Sequence, residues 1–137
     1  MKEIESLFDT YKTSVLRKDL DAFLSIFDDD VRIFDMWEWT YDGLTPWRKM
    51  ASDWFSSLGT EQVVVTFDDI RIRVAGEMAV ATAYARFAAV SEKGEELRHL
   101  QNRLTWVAEK KEGAWKIVHE HTSGPVDGET MKVQLQR

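Results

Sequence analysis

Arg103, His119 and His121 are the side chains whose types and spacing most readily make a binding site. An arginine offers a planar fork of donors that suits a carboxylate. A histidine adds a donor, or a base that titrates near neutral pH. Arg103 falls in a strand-like run, Glu96–Glu109, and the histidines in another, Ala114–Ser123, joined by a Lys110–Gly113 turn. Pairing Val107 with Trp115 sets Arg103 opposite His119 and Gln101 opposite His121. A two-residue shift sets Arg103 opposite His121 instead. In both registers these residues share a face, because side chains alternate along a strand. Trp115 and Ile117 fall on that face too, so it is expected to be the inner one. The same residues could also form an internal polar network with a partner such as Asp35, so ligand contact and structural pairing both stay open.

His119-x-His121 could chelate a metal, but zinc needs a third and fourth ligand. Glu120 points to the opposite face, and Arg103 would repel a cation. No metal and no other cofactor is expected. Asp35 lies between Ile33 and Trp37 on an apolar strand face. Burial would make it a better base, whereas Arg103 beside it would hold it ionised, so general base and structural ion pair both remain. Tyr11 sits on the apolar stripe of a helix, where its hydroxyl either reaches a cavity or finds a core partner. Trp37 and Trp39 flank the expected cavity mouth and could form an aromatic wall with Tyr41. Tyr84, on the mixed face of a long strand, joins them as a ligand-binding candidate.

Positioning these residues requires a particular set of elements. Ile4, Leu7, Phe8, Tyr11 and Val15 recur at helical steps and predict a helix over 3–16. Asp19 reads as the N-cap of a short second helix that Asp28-Asp29-Asp30 ends. Val31–Trp39 alternates as a strand. Thr45-Pro46 opens a third helix, and Gly59 closes it. Strands follow at Gln62–Phe67, Asp69–Val74, Met78–Val90, Glu96–Glu109 and Ala114–Ser123. Residues 124–137 read as a loose polar tail. Helices first and hairpin-linked strands after imply an α+β fold, with a mainly antiparallel sheet against three N-terminal helices. Such long strands must twist and curl, giving a cone whose wide end is a pocket.

With 137 residues, 44% hydrophobic and 31% charged, the chain has the profile of one globular domain spanning 1–137. It contains no cysteine, which excludes disulfides and thiolate chemistry. A net charge of −6 without a basic face argues against nucleic acid. No long apolar run suggests a membrane span, and the acidic, amphipathic N-terminus does not resemble a secretory signal, so a cytoplasmic location is expected. Phosphate loops, dinucleotide fingerprints and nucleophile elbows are missing. Trp106, facing away from Arg103, is expected on the outer sheet surface. With Leu100, Leu104 and Val118 it would form a patch for a second copy, making a homodimer.

The order of elements and the strand Gly113-Ala114-Trp115-Lys116-Ile117-Val118-His119-Glu120-His121-Thr122-Ser123 resemble the nuclear transport factor 2-like superfamily in its SnoaL-like branch. The strand is also similar to that of the calcium/calmodulin-dependent protein kinase II association domain, where an arginine at the position of Arg103 lines the pocket. The resemblance covers about residues 3–125. It implies a curved sheet wrapped around helices, dimers formed through the sheet, and members that are isomerases, cyclases, dehydratases or scaffolds. Against ketosteroid isomerase, Asp30-Val31-Arg32-Ile33-Phe34-Asp35 resembles the segment carrying the base, which places Asp35 at the base position. Tyr11 resembles the tyrosine donor. Arg103 stands where a neutral acid donor is expected and cannot act as one, which argues against a steroid enolate. The expected function is a pocket for a small, partly apolar molecule whose anionic group is held by Arg103, helped by His119 or His121. Catalysis would run through Asp35, Tyr11 and His119. The alternative is a non-catalytic association module.

Overall fold

A computed structural model describes residues 1–37 and 39–136. Three helices, α1 (Lys2–Arg17), α2 (Leu20–Leu24) and α3 (Leu44–Ser57), pack on one six-stranded mixed sheet. The strands are β1 (Phe27–Phe34), β2 (Thr40–Asp42), β3 (Gln62–Ala75), β4 (Met78–Val90), β5 (Glu96–Lys111) and β6 (Ala114–Ser123). Their order is β2-β1-β6-β5-β4-β3, and only β1 and β6 run parallel. This is the α+β architecture the sequence implied. Among the described residues, no helix is long and apolar enough to cross a membrane.

Local chemistry accounts for most boundaries. Asp19 caps α2 by accepting from the Ala22 N–H. Gly59 follows the end of α3 at φ +58, a left-handed conformation that costs glycine little. Helix α3 starts one residue before Thr45, after Gly43 at φ +92, so the expected threonine cap is not used. Pro46 is still tolerated, because first-turn N–H groups have no helical partner to lose. Asp28-Asp29-Asp30 does not end α2 but lies in β1. Phe27 pairs with Ile117 and Arg32 with His119, so β1 spends five steps where β6 spends two. The acidic triplet bulges out in that interval, and Asp28 meets Lys111 at 3.2 Å. Strands expected at Gln62–Phe67 and Asp69–Val74 form one strand, β3, bulged at Asp69 with φ 52.

A second bulge decides the rest. Ala108 pairs with Ile117, but Val107 pairs with His119, so β6 carries one extra residue at Val118. Parity inverts there. Trp115 and Ile117 face the core, and beyond the bulge Glu120 and Thr122 do. Opposite them on β5, Asn102, Leu104, Trp106 and Ala108 are buried. Trp106 is therefore not a surface residue. It stacks on Phe8 of α1, ring centroids 4.2 Å apart, at the centre of the core. The outer patch expected from Trp106 and Leu104 does not exist.

The C-terminal segment makes contacts of its own. Val126 and Val133 form a bridge, Asp127 Oδ1 accepts from the Glu129 and Thr130 N–H groups, and the Gln101 N–H donates to the Leu135 carbonyl at 2.8 Å. The chain thus returns to continue the sheet edge beside β5.

Candidate functional site

Between α1, α3 and the sheet lies a cavity of about 790 Å³. That is ample for a drug-sized molecule. Its helix wall is Trp47, Met50 and Trp54 on the apolar stripe of α3, with Leu58 at the helix C-cap, and Val63, Phe87 and Ala89 add an apolar sheet wall. The polar groups converge from other elements: Tyr11 from α1, Asp35 after β1, Asn102 from β5, and Glu120 and Thr122 from β6. Trp37, Asp53, Arg98 and His99 line its more exposed part, and Leu135 closes it from the C-terminal segment.

Glu120 is only 2% exposed, and its Oε1 accepts the Trp106 indole N–H at 2.8 Å. Burial pushes its carboxyl up to about 7, and the nearby Asp35 charge adds to the rise; the Trp106 bond acts against it. Tyr11 is pushed well above the usual phenol range, first by burial, then by the charges of Glu120 and Asp35. Asp35 is half-buried. Its Oδ2 accepts the Trp37 N–H at 3.1 Å, and its Oδ1 faces the Thr122 hydroxyl at 3.5 Å. Thr122 Oγ1 itself accepts the Met36 N–H at 3.0 Å. A turn and a strand therefore fix the Asp35 carboxylate from both sides. One carboxyl sits deep and takes a proton readily, and the other sits beside polar donors. This pair can exchange protons with a bound molecule.

Two of the three groups expected to catalyse, Asp35 and Tyr11, share this cavity, and Trp37 stands at its rim, 60% exposed. Trp39 is 86% exposed and does not line it. Arg103, His119, His121 and Tyr84 lie on the opposite side of the sheet. Tyr84 pairs with Arg103, Thr105 with His121, and Val107 with His119, all on the outer face. Arg103 is exposed, so neither it nor the histidines can anchor a molecule inside the cavity. His119 Nδ1 lies 2.7 Å from the Arg32 carbonyl, and both histidine rings meet Phe34 edge-on. Arg103 pairs with Ser123, four residues from one of the two expected registers and two from the other. No group of three or more metal-ligating side chains gathers among the described residues.

Glu120 and Asn102 are the residues that sequence reasoning missed. The apolar stripe Leu104, Trp106 and Ala108 on β5 carries the signal, since it must face the core and takes Asn102 with it. Its cross-strand partners, Thr122 and Glu120, then follow.

A sequence profile of the SnoaL-like domain matches residues 4–127. No curated protein matches the chain. Among solved structures it is similar to a nuclear transport factor 2-like protein of unknown function from Pseudomonas putida KT2440, with TM-score 0.85, 23% identity, and coverage of 98% of this chain and 92% of that one. A Salmonella enterica serovar Typhimurium protein of the nuclear transport factor 2 superfamily gives TM-score 0.73 at 24% identity, covering 93% and 92%. A putative calcium/calmodulin-dependent protein kinase II association domain from Xanthomonas campestris gives 0.70 at 20% identity, covering 88% and 84%. At these identities the likeness speaks to the fold alone.

Proposed function

The chain belongs to the SnoaL-like domain family, and from that premise we propose that it performs general acid–base chemistry on a small, largely apolar carbonyl compound held in its cavity. Asp35 takes a proton from the carbon next to the carbonyl. Tyr11 and the protonated Glu120 donate hydrogen bonds to the oxygen as it gains charge. Asp35 then returns the proton at another carbon, which completes an isomerisation. A cyclisation or dehydration would share the first step. One observation carries this proposal: two carboxyl groups face one apolar cavity from unlike surroundings, one of them fully buried. Glu120 supplies the neutral acid whose apparent loss at Arg103 had argued against an enolate.

The test is the conversion of cyclohex-3-enone to the conjugated cyclohex-2-enone, followed by ultraviolet absorbance. Wild type should accelerate it. Asp35→Asn should cost about 100-fold or more, the usual contribution of a positioned base. Glu120→Gln, which keeps shape and loses acidity, should cost about tenfold or more. Full activity in both variants would overturn the assignment.

A further inference from the structure

Glu120 leaves one oxygen open to the cavity. The Trp106 indole holds its Oε1. Its Oε2 has no partner among the described residues and is not sealed by protein, although the residue is 2% exposed and lines the cavity. A buried polar atom in that state calls for a group from outside.

Charge limits what that group brings with it. Tyr11 and Glu120 both feel Asp35 as a negative neighbour. Asp53, on the more exposed part of the lining, is paired with Lys49 at 2.7 Å. The basic lining residues, Arg98 and His99, stand on that exposed part too, and Arg98 is held by Glu61 at 2.7 Å. Among the described residues, the deep end therefore holds two carboxyls and no basic side chain. A carbonyl compound that loses a proton to Asp35 takes the negative charge onto its own oxygen, still inside the cavity. A positive charge carried by the substrate offsets it before and after the transfer.

The walls suit such a charge. Six lining residues are aromatic: Tyr11, Trp37, Tyr41, Trp47, Trp54 and Phe87. Phe87 of β4 links α1 to α3, with ring centroids 6.4 Å from Tyr11 and 6.3 Å from Trp54. Tyr41 lies 5.3 Å from Trp47. Leucine and valine would serve a purely apolar molecule as well, whereas aromatic rings also attract cations. A primary ammonium is strongly hydrated and would have to shed its water. A methylated ammonium spreads its charge over carbon. Fully methylated, it has no N–H to give to Asp35, so the base stays available for carbon.

We propose that the substrate is a carbonyl compound bearing a methylated ammonium, its nitrogen among the aromatic walls beside Asp35 and its carbonyl toward Glu120. This names the substrate class of the acid–base site and rests on that reading. The nitrogen is attached to the carbon that loses the proton, where its charge makes the C–H more acidic.

The experiment compares phenacyltrimethylammonium with its neutral isostere, 3,3-dimethyl-1-phenylbutan-1-one, by calorimetry. It is run at pH 6, where Glu120 is mostly protonated and Asp35 is the charge under test. Wild type should bind the cation about tenfold more tightly, the scale of a cation among desolvated rings. Asp35→Asn should remove most of that preference by weakening only the cation. Equal affinities in wild type, tighter binding of the isostere, an undiminished preference in Asp35→Asn, or binding of neither probe would each overturn the proposal. Should Asp35→Asn fail to fold, the N-methyl protons of the bound cation decide in wild type. They should show nuclear Overhauser contacts to the ring protons of Trp54 and Phe87, and contacts to neither ring would overturn the proposal. The two proposals fail separately. A preference for the cation without turnover of cyclohex-3-enone upholds the cation pocket and sinks the acid–base assignment. Turnover without a preference does the reverse.

Discussion

Glu120 shows what one buried carboxyl does to the whole protein. Its ordinary value is 4.5, and the fold raises it to about 7. Between those values the native protein holds a proton that the unfolded chain has released. Stability from this group is therefore full below about pH 4.5 and lost as pH rises through about 7, by roughly 3 kcal/mol. Glu120→Gln should remove that dependence. Its amide oxygen can still accept from Trp106, and it never has to ionise in the core. Urea denaturation at pH 5 and pH 8 checks this. Wild type should lose stability between the two, and the variant should lose much less and be the more stable protein at pH 8. An equal slope in both would mean that Glu120 does not titrate in this range.

At the scale of elements, the site is built by one inserted residue and one returning segment. Without the bulge at Val118, period two would send His119 and His121 inward and expel Glu120 and Thr122. The C-terminal segment completes the wall with Leu135, whose carbonyl holds the Gln101 N–H. Removing residues 127–137 should cost about 1–2 kcal/mol, the scale of a lost backbone bond with some packing. It should also speed hydrogen exchange at the Gln101 amide. An unchanged urea midpoint and unchanged exchange would mean that the segment adds nothing in solution.

Across the whole molecule, charge decides what enters. The net charge is −6, and the deep polar groups of the cavity are carboxyls, a phenol, an amide and the Thr122 hydroxyl. Arg98, on its exposed part, is already engaged, meeting Glu61 at 2.7 Å. A carboxylate on a ligand would face both Asp35 and Glu120 in the same cavity. At pH 8, 1-naphthamide should therefore bind at least about tenfold more tightly than 1-naphthoate, because like charges at close quarters are costly. Tighter binding of the acid would restore an anion-binding role to the cavity. The outer sheet face is a separate matter, since Arg103, His119, His121 and Tyr84 gather there and not around the cavity.

Much of this was legible from the residues. Helical stripes, the Asp19 cap, the glycine at 59 and the hairpin turns follow from local chemistry, and so does the placing of Tyr11 and Asp35 on inward faces. The closing strand was recognisable, yet which of its faces lies inward was not. A bulge costs one residue and leaves no local mark, because Val118 suits a regular strand as well as a bulged one. Parity was settled by pairing with β5, where Trp106 has to be buried against Phe8. Local sequence thus determined the elements and the family. Long-range packing alone decided that Glu120, and neither Arg103 nor the histidines, faces the cavity, because burying an indole outweighs continuing a two-residue alternation.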